Sequence, residues 1–425
     1  MMPTVLCLLV AGSIGSAPAP RGAQEAGMPM TGTRVPELAI FDRTVRDLME
    51  KWQVPGGSLS VVKDGRLILA RGYGWADREE HQRVLPGSLF RIASLSKSLT
   101  AAAILKLVED GRLRLDDRAF LLLDDLKPQG GAKADKRIDQ ITIQNLLQHT
   151  GGWDPDRSFD PMFRSREIAR TMGVPAPASS EAILRYMLDK PLQSAPGTHY
   201  AYSNFGYCVL GRVIEKVTGE RYEDYVKTHI LRPAGITGMR LGHTLLRDRA
   251  PGEVRYYGFP GIGLAQSVFP SGPAKLPWPY GGWYIEAMDS HGGWIASAID
   301  MARFVRAMDG WGRPPQILRP QSIQRMIAHP APPVWKAGDA TWYGMGWEVR
   351  PTNGDANWWH TGSLDGTSTL MVRAYNGLTW VAFFNCRPKD SDAFTGELDS
   401  AMWQAVGGVT RWPGHDLFPA APGRG

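Results

Sequence analysis

Hydrophobic and polar positions alternate with a period of two in two places, at opposite ends of the chain. Residues 58–62 and 66–73 flank the pair Asp64-Gly65. A two-residue turn of that type between alternating runs predicts an antiparallel hairpin. The far end carries the same signal at 347–350, at His360, and at 369–374 and 379–385, the last two separated by Asn376-Gly377. Between the two ends, apolar residues recur every three or four positions. That period predicts helices over 95–109, 142–148, 180–188, 205–217, 222–230 and 298–308. A helix carrying Phe41, Val45, Leu48 and Met49 precedes the first hairpin, and another, at 397–406, follows the last strand. Strands at both termini with helices between them predict an α/β (α+β) fold, with one antiparallel sheet built from both chain ends. A helical subdomain, about 95–335, is then an insertion, and a cleft is expected where sheet and helices meet. Residues 255–283, rich in glycine, proline and aromatics (Tyr256, Tyr257, Phe259, Trp278, Tyr280), read as a long surface loop.

Composition narrows the class. The chain has 425 residues, 43% hydrophobic and 21% charged, with a net charge of +6. This is ordinary globular composition. The basic residues are scattered and form no stripe interleaved with aromatics, which argues against nucleic acid as a partner. Residues 1–23 hold a short apolar run, Val5 to Ala11, followed by small residues and prolines through Ala17, Ala19 and Ala23, and no Lys or Arg precedes the run. The expectation is an export signal and leader over 1–35, one main domain over 36–412 and a tail over 413–425, in a secreted or periplasmic protein. The apolar run falls short of the roughly 20 residues a membrane span needs, so stable membrane insertion is not expected. Cys208 and Cys386, in apolar patterns, read as buried thiols that pair only if folding brings them together.

The chemistry centres on Ser-x-x-Lys, which occurs twice, at Ser60 to Lys63 and at Ser94 to Lys97. On a strand, residues three apart point to opposite faces, so Lys63 cannot reach Ser60. At the start of a helix, positions i and i+3 are neighbours, so Lys97 can reach the Ser94 hydroxyl. A serine becomes nucleophilic when an adjacent group takes its proton. A lysine can do so once burial or nearby positive charge lowers its pKa. The remaining histidines show no metal-ligand spacing, and His149 is expected to stabilise the turn that follows its helix.

Phe90-Arg91-Ile92-Ala93-Ser94-Leu95-Ser96-Lys97, Tyr202-Ser203-Asn204 and His360-Thr361-Gly362 stand in the order of the three motifs of the serine β-lactamase and D-alanyl peptidase clan. The chain resembles in particular class C β-lactamases, D-Ala-D-Ala carboxypeptidases and family VIII carboxylesterases. The likeness extends to Leu146-Leu147-Gln148-His149-Thr150-Gly151-Gly152 and to Gly292-Gly293-Trp294 running into Ser297, Asp300 and Arg303. The resemblance implies a β-lactamase/transpeptidase-like fold and an acyl-enzyme on Ser94, with Tyr202 as general base acidified by Lys97. It also implies that Asn204 holds a substrate amide and positions Lys97, and that Gly362 lets the acyl chain approach the strand. The amides of Ser94 and Ser363 would form the oxyanion hole. No cofactor is implied.

Histidine stands where many dedicated β-lactamases have lysine in the third motif. Being mostly neutral at pH 7, His360 anchors a substrate carboxylate weakly. The aromatic loop, with Trp153, Trp358 and Trp359, suggests an apolar pocket wall. A carboxylesterase-like hydrolase is therefore expected. The alternatives are a D-Ala-D-Ala carboxypeptidase or β-lactamase, and a non-catalytic binding protein of the same fold. The partner in the first two cases is a small ester, amide or β-lactam.

Overall fold

The structure, a computed structural model, describes residues 27–131, 133–313, 315–336, 338–352 and 354–418. The expected export signal, residues 1–23, lies outside them. The main sheet is built from β1 (Met30–Thr31), β2 (Gly56–Lys63), β3 (Arg66–Asp77), β4 (Trp342–Tyr343), β5 (Glu348–Thr352), β6 (Asp355–Leu364), β7 (Thr367–Arg373) and β8 (Leu378–Phe384). Their spatial order is β1-β3-β2-β8-β7-β6-β5-β4, with a short strand at Gln82–Arg83 beside β3. The two chain ends meet at the antiparallel pair β2–β8, from Leu378 opposite Lys63 to Phe384 opposite Gly57. The single sheet expected from both termini is what forms.

Alternation decides which side chains go to which face. Leu59 and Val61 on β2, Leu370 and Val372 on β7, and Ala382 and Phe384 on β8 bury against α1 (Ala39–Lys51) and a C-terminal helix, Ser391–Gly407. Val62, Met371, Val381 and Phe383 bury on the other face, in the larger core that includes α2 (Ser96–Glu109). Each such Leu, Val or Phe contributes about 1.5–3 kcal/mol through burial. α2 is enclosed: every residue from Ser96 to Leu105 is buried, so a lysine in its first turn has nowhere to reach solvent.

Some elements differ from the pattern reading. The C-terminal helix begins six residues earlier than expected, because Asp390 caps it by accepting from the Ala393 amide. Helices at Ser165–Met172 and Pro320–Ile327 were not anticipated, being eight residues each and carrying too few periodic positions to stand out. The stretch 255–283 is in part the surface loop expected, exposed at 270–275, and in part a strap held to the body. Tyr256, Tyr280 and Trp283 are buried, Tyr257–Gly258 pairs in parallel with Cys386–Arg387, and Leu264–Gln266 pairs with Lys275–Pro277. The Tyr256 hydroxyl accepts from the Arg91 amide at 2.7 Å and donates to Glu253, tying the strap to the segment that carries Ser94. Trp153 and Trp358 are likewise core residues, so the expected apolar pocket wall does not form from them. Cys208 and Cys386 are both buried and unpaired.

Candidate active site

The segment before α2 is held rigidly. Phe90–Arg91 pairs with Trp294–Ala296, and the Ile92 amide donates to the Trp294 carbonyl at 3.0 Å. Ala93 then adopts φ = +47°, a conformation that a residue with a Cβ rarely takes and that is maintained only when the surroundings enforce it. The turn Ala93–Leu95 follows and leads into α2. Ser94 therefore sits at a sharp bend ahead of the helix, partly accessible, with the buried Lys97 one turn further on.

Lys97 Nζ lies 3.0 Å from Ser94 Oγ, 2.7 Å from Asn204 Oδ1 and 3.0 Å from the His291 carbonyl. Burial pulls its pKa down to about 7, with the Asp160 carboxylate acting in the opposite direction. A neutral amine has two N–H donors and one lone pair. Asn204 Oδ1 and the His291 carbonyl can only accept, so they take both donors. The lone pair is left facing the Ser94 hydroxyl. At the other Ser-x-x-Lys, Lys63 donates to the Asn376 carbonyl and to Asp64, not to Ser60.

Tyr202 is placed by its neighbours. The amides of Ala201 and Ser203 donate to the His149 carbonyl and to His149 Nδ1, at 2.9 and 3.1 Å, and the two rings lie 4.3 Å apart. His149, at φ = +56°, sits in the turn after its helix, and its bonds hold the segment that carries Tyr202. Burial pushes the pKa of the Tyr202 phenol well above the ordinary value, against an opposing influence from Ser94. Lys97 Nζ stands 4.7 Å from the ring centroid. The lysine that the resemblance invokes to acidify Tyr202 is thus close to it, while burial of the phenol acts in the opposite direction.

His360, on β6, points into the site without charge. Its Nδ1 lies 2.6 Å from the Thr361 carbonyl, so it carries the proton. Its Nε2, 2.9 Å from the Tyr343 hydroxyl, accepts. Burial and the charge of Lys97 bring its pKa down to about 3. The β5–β6 pairing ends at Glu348 opposite Trp359, so residues 360–364 present an unpaired edge beside Ser94. Gly362 serves a closer approach than the one expected. A Cβ there would lie 2.2 Å from Thr369 Oγ1 and 2.4 Å from the Ile92 carbonyl, so glycine lets the strand touch the turn that carries the nucleophile. Gly362→Ala is expected to cost about 1–3 kcal/mol of stability by overpacking and to displace Ser94. A thermal melt and an ester assay check this, and an unchanged melt with unchanged rate would contradict it. On the opposite face of β6 a cavity of about 350 Å³ is lined by Thr361, Ser363, Trp359 and Trp403, with Arg350, Asp392 and Asp399 as its charged groups.

Sequence reasoning missed three participants. The His291 carbonyl and the Tyr343 hydroxyl lie outside any motif. Asp160, in an irregular stretch, accepts from Asn204 Nδ2 at 2.6 Å. No helical or strand period marks any of them. Among the described residues, no cluster of His, Cys, Asp or Glu could hold a metal ion, and no helix is long and apolar enough to cross a membrane.

The sequence model of the family described as Beta-lactamase matches residues 41–400. The chain belongs to the Beta-lactamase family. It is 26% identical over 351 residues to PbpX of Bacillus subtilis (strain 168), named for the penicillin-binding proteins, over 82% of this chain and 75% of that one. It is 28% identical over 208 residues to Protein flp of Staphylococcus aureus (strain MW2), over 49% of this chain and 38% of flp. The chain thus spans well under half the length of flp. The fold matches that of EstCE1, described as a hydrolase with promiscuous acyltransferase activity, with a TM-score of 0.66 and 21% identity over 86% of this chain and 98% of that one. This Beta-lactamase family member has a β-lactamase/transpeptidase-like fold.

Proposed function

We propose that the protein is a carboxylesterase-like hydrolase that forms an acyl-enzyme on Ser94, with Lys97 as the base. The Ser94 hydroxyl proton passes to the Lys97 lone pair as Oγ attacks the ester carbonyl carbon. The amides of Ser94 and Ser363 are proposed to receive the resulting oxyanion, a role whose loss typically costs about 3 kcal/mol in barrier. Collapse breaks the ester C–O bond. The Tyr202 hydroxyl gives its proton to the departing alkoxide and regains one from the Lys97 ammonium. Water then attacks the acyl carbon, losing a proton to Lys97; the C–Oγ bond breaks, Lys97 returns that proton to Ser94 Oγ, and the acid leaves with Ser94 and the neutral amine restored. Asn204 Nδ2 has a second hydrogen for the substrate.

The observation that carries the ester reading is the uncharged His360, fixed as the Nδ1–H tautomer with Tyr343 donating to Nε2. A carboxylate-bearing substrate finds no cation on this strand. The cavity behind it offers no net positive charge either, with one arginine against two aspartates. The test is a panel of p-nitrophenyl butyrate, nitrocefin and a D-Ala-D-Ala peptide. The expected result is a kcat/KM for the neutral ester at least about tenfold above either anion, the equivalent of about 1.4 kcal/mol. No ester turnover by folded enzyme, or faster peptide or β-lactam turnover, contradicts it. The likeness to PbpX favours the peptidase reading as the second choice, and a long-lived penicillin adduct on Ser94 would support it.

A further inference from the structure

Asn204 is a side-chain amide, and its two ends do different things only if something fixes which way round it sits. Turned by half a rotation about its last bond, it would present NH₂ to Lys97 and oxygen to its other neighbour. The neutral lysine would then have to spend its lone pair on Asn204, and Ser94 would lose its proton acceptor. The group opposite Asn204 is Asp160. Its Oδ2 accepts from Asn204 Nδ2 at 2.6 Å, and its Oδ1 accepts from the Met162 amide at 2.9 Å. The carboxylate is therefore clamped at both oxygens, and an ionised carboxylate only accepts. Nδ2 must face Asp160, and Oδ1 must face Lys97, 2.7 Å away.

We infer that Asp160 is a positioning residue for the Ser94 reaction: through Asn204 it fixes the direction of the Lys97 lone pair and of the amide hydrogen offered to substrate. This rests on the acylation chemistry proposed above. Asp160 is partly accessible at the cleft but deeply placed, and its charge supports the protonated form of Lys97. The other titratable groups around Lys97 are the imidazoles of His149, His291 and His360, each held neutral by burial, and the phenols of Tyr202 and Tyr207 over whose rings it lies. Of these neighbours, Asp160 is the carboxylate: burial raises its pKa, and the hydrogen bonds from Asn204 and the Met162 amide and the charge of Lys97 act to keep it ionised.

The experiment compares wild type, Asp160→Ala, Asp160→Asn and Asn204→Ala, alone and combined with Asp160→Ala, by p-nitrophenyl butyrate kinetics across pH and by thermal melts. Asp160→Ala is expected to lower kcat/KM about 10- to 100-fold, the range for losing a hydrogen bond to a charged group. Asp160→Asn retains an acceptor oxygen for Asn204 and is expected to recover most of that loss. Both move the acid limb of the pH profile to lower pH, because the charge that raises the Lys97 pKa is gone. In the Asn204→Ala background, Asp160→Ala is expected to cost less than about threefold, since the two act as one unit. A merely structural aspartate would show no such coupling and no shift of the limb. The inference is overturned by Asp160→Ala kinetics within about twofold of wild type, by equal losses in Ala and Asn with an unmoved limb, or by additive losses with Asn204→Ala. If wild type itself turns over no ester, the parent proposal fails. Phosphonylation of Ser94 by a fluorophosphonate, run on the same variants, then reads the Asp160 effect independently of substrate.

Discussion

Ser94→Ala is expected to abolish ester turnover, lowering kcat/KM by at least about 10⁴-fold while the melting temperature stays close to that of wild type. The size follows from chemistry. Removing Oγ leaves no atom to form the acyl-enzyme, and only residual binding and oxyanion stabilisation remain. The fold should tolerate the change, because the bond the oxygen makes is to the catalytic Lys97 and not to the scaffold. The control is Ser60→Ala. It removes the serine of the other Ser-x-x-Lys, on a strand joined to β8, and is expected to leave kcat/KM within about twofold. Equal losses in the two variants would mean that the site is misplaced.

The second large effect is at Lys97. Lys97→Met keeps the length and apolar bulk but removes the lone pair, and is expected to cost about 10³- to 10⁴-fold in kcat, the upper range for general base catalysis. Lys97→Arg separates the possible roles of the lysine. A guanidinium keeps the positive charge and cannot be deprotonated at working pH. If Lys97 acted only as a cation that acidifies Tyr202, arginine would preserve much of the rate; as a base, arginine fails as badly as methionine. In wild type the acid limb of kcat/KM should fall near pH 7, the value to which burial brings Lys97. Activity is present above that pH and lost below it, as the amine takes up a proton. His360 has its pKa at about 3, so it adds no limb in that range. Tyr202→Phe distinguishes the same alternatives from the other side. Its loss should be smaller than that of Lys97→Met if the phenol only relays a proton, and larger if it is the base.

Much of this site was legible in the sequence, and the reason is local. Ser94 and Lys97 are three residues apart where the turn Ala93–Leu95 runs into α2, so local helical geometry brings them together. His360 and Gly362 were legible through the third motif, with His360 alone marked as a strand position, and Tyr202 precedes a helix with a clear period. What could not be read depends on contacts between distant segments that have no period of their own. Asp160 meets Asn204 across 44 positions and Lys97 meets the His291 carbonyl across 194, and neither pairing leaves a pattern in the chain. The same limit explains the strap at 255–283. Glycine, proline and aromatic content marks irregular backbone, but cannot tell a loop facing water from one whose tyrosines bond to the segment before the nucleophile. The pKa of Tyr202 was also out of reach, since it depends on how completely the ring is enclosed, and enclosure is a property of the whole core.

The most direct test of the account is to map a fluorophosphonate adduct by peptide mass spectrometry after labelling at about pH 8 and about pH 5.5, on either side of the Lys97 transition. The account predicts a single adduct on Ser94, formed at least about tenfold faster at the higher pH. No adduct, an adduct on any other residue, or a labelling rate equal at the two pH values would contradict it.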